Sequence, residues 1–137
     1  MSNLNLHSDL HVLLIEDDPV SNFIAFSKLK KFGIDDVKAV ENGLEAINYL
    51  KTRCPDIIFL DINMPIMDGF EFLERVKENG ICNNTSIAIL TSSIRPCDKE
   101  RATAFIGVVD FLEKPLDPTK IDQVLVNLKK KKKLNLH

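Results

Sequence analysis

Five short apolar runs, separated by segments with helical spacing, constrain this chain more than any other feature. His11-Val12-Leu13-Leu14-Ile15, Val37-Lys38-Ala39-Val40, Ile57-Ile58-Phe59-Leu60, Ile87-Ala88-Ile89-Leu90 and Val108-Val109-Asp110-Phe111-Leu112 read as strands. Asp18-Pro19 has the form of a cap and first helical position, opening a helix that Gly33 ends. Asn42 caps a second helix with Leu44, Ile47 and Leu50 on one face, and Phe70, Leu73 and Val76 mark a third that stops at Asn79-Gly80. A polar, weakly patterned fourth helix is expected between Asp98 and Phe105. A fifth begins near Asp117-Pro118 and carries Ile121, Val124, Leu125 and Leu128 on one face. Alternating strands and helices over 137 residues call for one α/β domain, a doubly wound parallel sheet with helices on both faces. Right-handed crossovers bring every strand's carboxyl end to one edge, where open α/β sheets bind their ligands.

The residues that end these runs form a chemically coherent set. Asp17 and Asp18 follow the first run, Asp61 the third, Thr91 the fourth and Lys114 the fifth. Singly, each has an ordinary explanation as a helix cap, a strand-end hydroxyl satisfied by backbone, or a solvated amine. Together they put three acids, a hydroxyl and an amine on one edge. Three carboxylates in one crevice raise one another's pKa unless a cation sits among them. A small hard dication suits such oxygens, and magnesium uses one or two carboxylates alongside a substrate phosphate. If Asp61 attacks phosphorus, the transferred group has three equatorial oxygens whose charge must be met. Magnesium, Lys114 and the Thr91 hydroxyl can meet one each.

Composition narrows the alternatives. The formal net charge is −2, but Lys129 to Lys133 form a run without acids; the rest of the chain carries 13 basic against 20 acidic residues. An acidic body argues against a nucleic-acid surface, and the lysine run reads as a solvated extension of the last helix. No apolar run approaches a membrane span, and Met1 to Leu10 has no secretory pattern, so the expected location is the cytoplasm. Cys54, Cys82 and Cys97 are odd in number, widely spaced and free of any CxxC pair. The expectation is three reduced thiols and no zinc site.

With these residues identified, the chain resembles the receiver domains of bacterial two-component response regulators, in particular the single-domain, chemotaxis-regulator-like members. The resemblance spans residues 9–128, leaving 129–137 as a basic tail. It rests on Asp17-Asp18 after the first strand, Asp61 followed by Met64-Pro65 and Met67-Asp68-Gly69, Thr91 after the fourth strand, and Phe111 before Lys114-Pro115. It implies a flavodoxin-like sheet in the order 2-1-3-4-5 with five helices. It also implies that Asp61 accepts a phosphoryl group from a sensor histidine kinase or histidine phosphotransfer protein. Asp18, Asp61 and the Asn63 carbonyl would bind magnesium, with Asp17 beside them, and Thr91 and Phe111 would carry the switch to a downstream protein partner.

Two positions depart from the common pattern. Ser92 stands where a very small residue often follows the threonine, and Phe111 lacks the hydroxyl of the tyrosine many relatives carry. No output domain follows Leu128, so the expectation is a stand-alone switch rather than an enzyme. A phosphatase of haloacid-dehalogenase type would need a second Asp two residues after the nucleophile, where this chain has Asn63. A phosphorylation-independent interaction module would not need all of the acids, the hydroxyl and the amine.

Overall fold

A computed structural model describes His7 and residues 9–135. Its elements are β1 (His11–Ile15), α1 (Pro19–Lys31), β2 (Asp36–Val40), α2 (Gly43–Leu50), β3 (Ile57–Leu60), α3 (Gly69–Asn79), β4 (Ser86–Thr91), α4 (Pro96–Thr103), β5 (Val108–Glu113) and α5 (Pro118–Asn135). All strand pairings are parallel and the order is β2-β1-β3-β4-β5, the flavodoxin-like arrangement.

Helix starts follow local chemistry. Asp18 caps α1 and Asn42 caps α2, the latter accepting from the Glu45 N–H at 3.0 Å. Asp68 and Glu71 form a reciprocal capping box on α3, and Gly80 closes that helix in the left-handed conformation at φ 61°. Helix α4 has no such device: Arg95 at its N-cap makes no side-chain capping bond, and the helix lasts eight residues.

The core divides across the sheet by strand alternation. Leu13, Ile15, Ile58, Leu60, Ile87 and Ile89 pack under α2, α3 and Ala102 of α4. Val12, Leu14, Ile57, Phe59, Ala88 and Leu90 pack under α1 and α5. Each such side chain, fully buried, contributes roughly 1.5–3 kcal/mol. β1 and β3 are buried throughout, whereas β5 is half-buried over its first four residues. The three inner strands are therefore a firm base for what their tips carry.

One expectation is overturned and two are refined. Cys54 and Cys82 are joined in a disulfide, with Cys97 the free thiol, so the three thiols are not all reduced. Cys54 lies three residues before β3 and Cys82 four before β4. The parallel register Ile57↔Ser86 brings the two segments together, an adjacency that spacing in sequence does not show. Helix α4 begins two residues earlier than its pattern suggests, and α5 continues through the lysine run to Asn135. Lys131 lies under the amino end of β4, its Nζ donating to the Thr85 carbonyl at 3.3 Å and contacting Ser86 Oγ at 3.4 Å. Residues 1–6, on which the expected lack of a secretory start mainly rests, are outside the described residues, as are the last two. Among the described residues no helix is long and apolar enough to cross a membrane.

Candidate functional site

The carboxyl edge of the sheet gathers its polar residues because ladder bonding continues past the strands. The Glu16 N–H donates to Val40 O at 3.0 Å and the Asp61 N–H to Ile15 O at 3.1 Å, so both residues stay extended at the tips of β1 and β3. Both side chains are buried, Glu16 at 7% exposure and Asp61 at 5%. The loop after β3 then turns back over Asp61. The Asn63 N–H donates to Asp61 Oδ1 at 3.3 Å, and the Gly69 N–H to Ile62 O at 3.2 Å. A Cβ on Gly69 would stand 2.6 Å from Ile62 Cα and 2.8 Å from the Asp61 carbonyl oxygen, so only glycine permits this approach.

Lys114 is the cation of the crevice. Its Nζ pairs with Glu16 Oε1 and lies 3.3 Å from Asp61 Oδ2. Burial works against the ammonium, but the Glu16 hydrogen bond and the charges of Asp61 and Glu16 outweigh it, leaving Lys114 above its ordinary pKa. Glu16 shows the opposite balance. Burial raises its carboxyl to about 7, with the nearby charge of Asp61 adding to the rise and the Lys114 bond opposing it. One amine thus serves two buried carboxylates, and a third carboxylate is close by.

That third group is Asp17. Glu16, Asp17 and Asp61 each offer an oxygen, and the three oxygens lie within 4.8 Å of one another. Asp18, expected to be a metal ligand, is not in this group. Its carboxylate faces α1, accepting from the Val20 N–H at 3.2 Å and the Ser21 hydroxyl at 2.9 Å. Those donors, Ser21 foremost, hold it below the usual carboxylate range. The Asp18-Pro19 junction, which marks a helix cap, is the signal in the sequence that these oxygens are already engaged. Glu16, the first residue past the apolar run, is the member of the group that the sequence pattern does not single out.

Thr91 ends β4 fully buried, its Oγ accepting from the Ser93 N–H at 3.2 Å and its carbonyl from the Lys114 N–H at 2.9 Å. Phe111 is half-buried, pairs in register with Ile89 and packs on the α2, α3 and α4 side of the sheet. Alternation along β4 puts Thr91 on that same side with Ile87 and Ile89. Asn63 is exposed, two residues beyond Asp61.

The sequence profile of the response regulator receiver domain matches residues 12–126. The chain belongs to this family. Receiver domains are the phosphoacceptor modules of two-component signalling, a class that interacts with histidine kinases or phosphotransfer proteins. It is 33% identical over 125 residues to the two-component response regulator ORR41 of Oryza sativa subsp. japonica, covering 88% of this chain and 94% of that protein. It is 32% identical over 119 residues to a protein-glutamate methylesterase/protein-glutamine glutaminase of Halalkalibacterium halodurans, covering 85% of this chain and 34% of the relative. The receiver domain thus spans only about a third of the length of that methylesterase. In three dimensions it is similar to a two-component response regulator from Cytophaga hutchinsonii, with a TM-score of 0.81 and 30% identity over 88% of this chain and 96% of the other.

Proposed function

We propose that Asp61 is the phosphoacceptor and that its carboxylate attacks the phosphorus of a phosphohistidine on a sensor kinase or phosphotransfer protein. One observation carries this reading: a buried carboxylate at the tip of β3, held by the Asn63 N–H and Lys114, shares its crevice with two more carboxylates. In the transfer, one Asp61 oxygen forms the new bond to phosphorus while the donor's P–N bond breaks and the imidazole leaves. Lys114 meets charge on one equatorial oxygen, and the Thr91 hydroxyl turns from Ser93 to meet another.

The acidic group fits a divalent cation on its own chemistry. Three carboxylate oxygens lie close together while the one amine, Lys114, pairs with only two of the groups, and burial raises the Glu16 carboxyl to about 7, an imbalance that added positive charge would relieve. Glu16, Asp17, Asp61 and the Asn63 carbonyl are the candidate ligands for magnesium, with Glu16 in the place expected for Asp18. Magnesium, when bound, supplies charge stabilisation to the transferring phosphoryl group. The receiver itself does no more than assist its own phosphorylation and slow dephosphorylation.

Phosphorylation adds roughly −1.5 to −2 charge. Thr91 and Lys114, drawn to the new oxygens, would shift the tips of β4 and β5, and Phe111, on the Thr91 side of the sheet, would follow into the space vacated. The output is a changed α4–β5–α5 surface read by a downstream protein, not by nucleic acid, in the cytoplasm. The test is labelling with acetyl phosphate in magnesium. Wild type should acquire an acid-stable, hydroxylamine-labile phosphoryl group and Asp61→Asn should acquire none; equal labelling of the variant would place the acceptor elsewhere.

A further inference from the structure

The disulfide lies at the edge of the sheet opposite the acidic crevice. It ties the connection before β3 to the turn before β4, with Cα atoms 5.5 Å apart and a sequence separation of 28. Cys54 is exposed and Cys82 half-buried, so an attacking thiolate would approach from the Cys54 side. Cys82 also holds a left-handed backbone, φ 52°, which a residue with a Cβ adopts at a cost, and the bridge pins it there. Its side chain forms part of a 470 Å³ cavity whose other walls include Val76, Ile81, Ile87, Phe105 and Gly107. The cavity therefore joins the bridged turn to the α4–β5 connection. Cys97 sits in the first turn of α4, at the opposite edge, away from this pair.

Permanent structural disulfides belong to oxidising compartments, and exposed bridges are the labile ones elsewhere. We propose that Cys54–Cys82 is a reversible redox site, which opens to two thiols in a reducing cytoplasm and closes under a low-molecular-weight disulfide such as oxidised glutathione. The compartment in this argument rests on the phosphoacceptor reading; the geometry of the pair does not. Closing begins when the Cys54 thiolate attacks one glutathione sulfur, forming a mixed disulfide and releasing one glutathione thiolate. The Cys82 thiolate then attacks the Cys54 sulfur and releases the second glutathione. Two protein thiols lose two electrons and two protons, and one glutathione disulfide becomes two thiols. Opening runs the same exchange backwards. The closed state holds the 80–85 turn against the start of β3 and fixes one wall of the cavity, whereas the open state frees Cys82 to leave its left-handed backbone.

The experiment equilibrates the full-length wild-type chain in buffers of varied reduced-to-oxidised glutathione ratio. Reactive thiols are counted by maleimide mass shift, and hydrogen exchange is measured in the same samples. The native protein should pass reversibly from one reactive thiol to three as the buffer becomes reducing, the constant one being Cys97. Amides in 80–85 and 104–107 should exchange at least about tenfold faster in the open state, with those around Asp61 unchanged. Cys54→Ser should give the fast pattern in every buffer, and Cys97→Ser should leave the transition in place. Three reactive thiols at every ratio, a bridge that opens only in denaturant, or bridging without any change in exchange would each overturn the proposal. Acetyl phosphate labelling, read separately, tells its failure from failure of the phosphoacceptor reading.

Discussion

The two edges of the sheet treat buried polar groups in opposite ways. At the amino edge every group has a partner of its own. The buried His11 ring contacts the Asp36 carbonyl at 3.1 Å through Nδ1 and the Tyr49 hydroxyl at 2.7 Å through Nε2, while the His11 N–H donates to Asp56 at 2.8 Å. Asp36 also pairs with Arg53, and Thr85 donates its hydroxyl to the Pro55 carbonyl at 2.6 Å. At the carboxyl edge one amine, Lys114, serves two buried carboxylates, Glu16 and Asp61, with the exposed Asp17 carboxylate beside them. The amino edge is satisfied and cross-linked, which suits holding strands in register. The carboxyl edge carries excess negative charge, which suits a site completed by a cation and a phosphoryl group.

The largest expected effect is from Lys114→Ala. Removing the cation between two buried carboxylates should cost about 3–5 kcal/mol in urea unfolding at neutral pH with chelator present, and magnesium should restore much of it. A stability loss that magnesium leaves untouched would show that the crevice does not want a cation. Next is the pH dependence from Glu16. Its carboxyl is raised from 4.5 to about 7 on folding, so the folded state binds more protons across that window and stability falls as pH rises through it. The fall should reach about 3 kcal/mol without divalent cation and disappear in Glu16→Gln. Urea midpoints between pH 4 and 8 would read it, and a wild-type profile as flat as the variant's would remove the imbalance on which the comparison stands.

Gly69→Ala should destabilise by about 2 kcal/mol, because its Cβ would meet the Ile62 Cα and the Asp61 carbonyl oxygen. It should also slow acetyl phosphate labelling by displacing the loop over Asp61. Tyr49→Phe is the smallest change, about 1 kcal/mol for the lost hydroxyl partner of His11, with labelling unaltered. Slower labelling in that variant would mean that the two edges are coupled through β1.

Much of the carboxyl edge is legible in the amino-acid sequence. Asp61, Thr91 and Lys114 stand out because each ends an apolar run, and parallel topology sends all such ends one way. The acid triplet after β1 is harder to place: the sequence pattern points to Asp17 and Asp18, whereas the oxygens grouped with Asp61 are those of Glu16 and Asp17. Among three consecutive acids the Asp18-Pro19 cap is the one local mark, and it leaves Glu16 without any signal of its own. The direction of the Asp18 oxygens, turned to Val20 and Ser21, shows that cap in place.

The sequence by itself determined the alternation of elements, the strand tips and the core faces, since these follow from periodicity and from capping residues within a few positions of each other. Tertiary structure decided what depends on neighbours distant along the chain. The parallel pairing of β3 with β4 brings Cys54 to Cys82 across 28 residues, and the neighbouring tips of β1, β3 and β5 set Lys114 between Glu16 and Asp61. Hydrophobic spacing is a one-dimensional signal; which sulfur meets which, and which carboxylate loses its water, depends on packing in three dimensions.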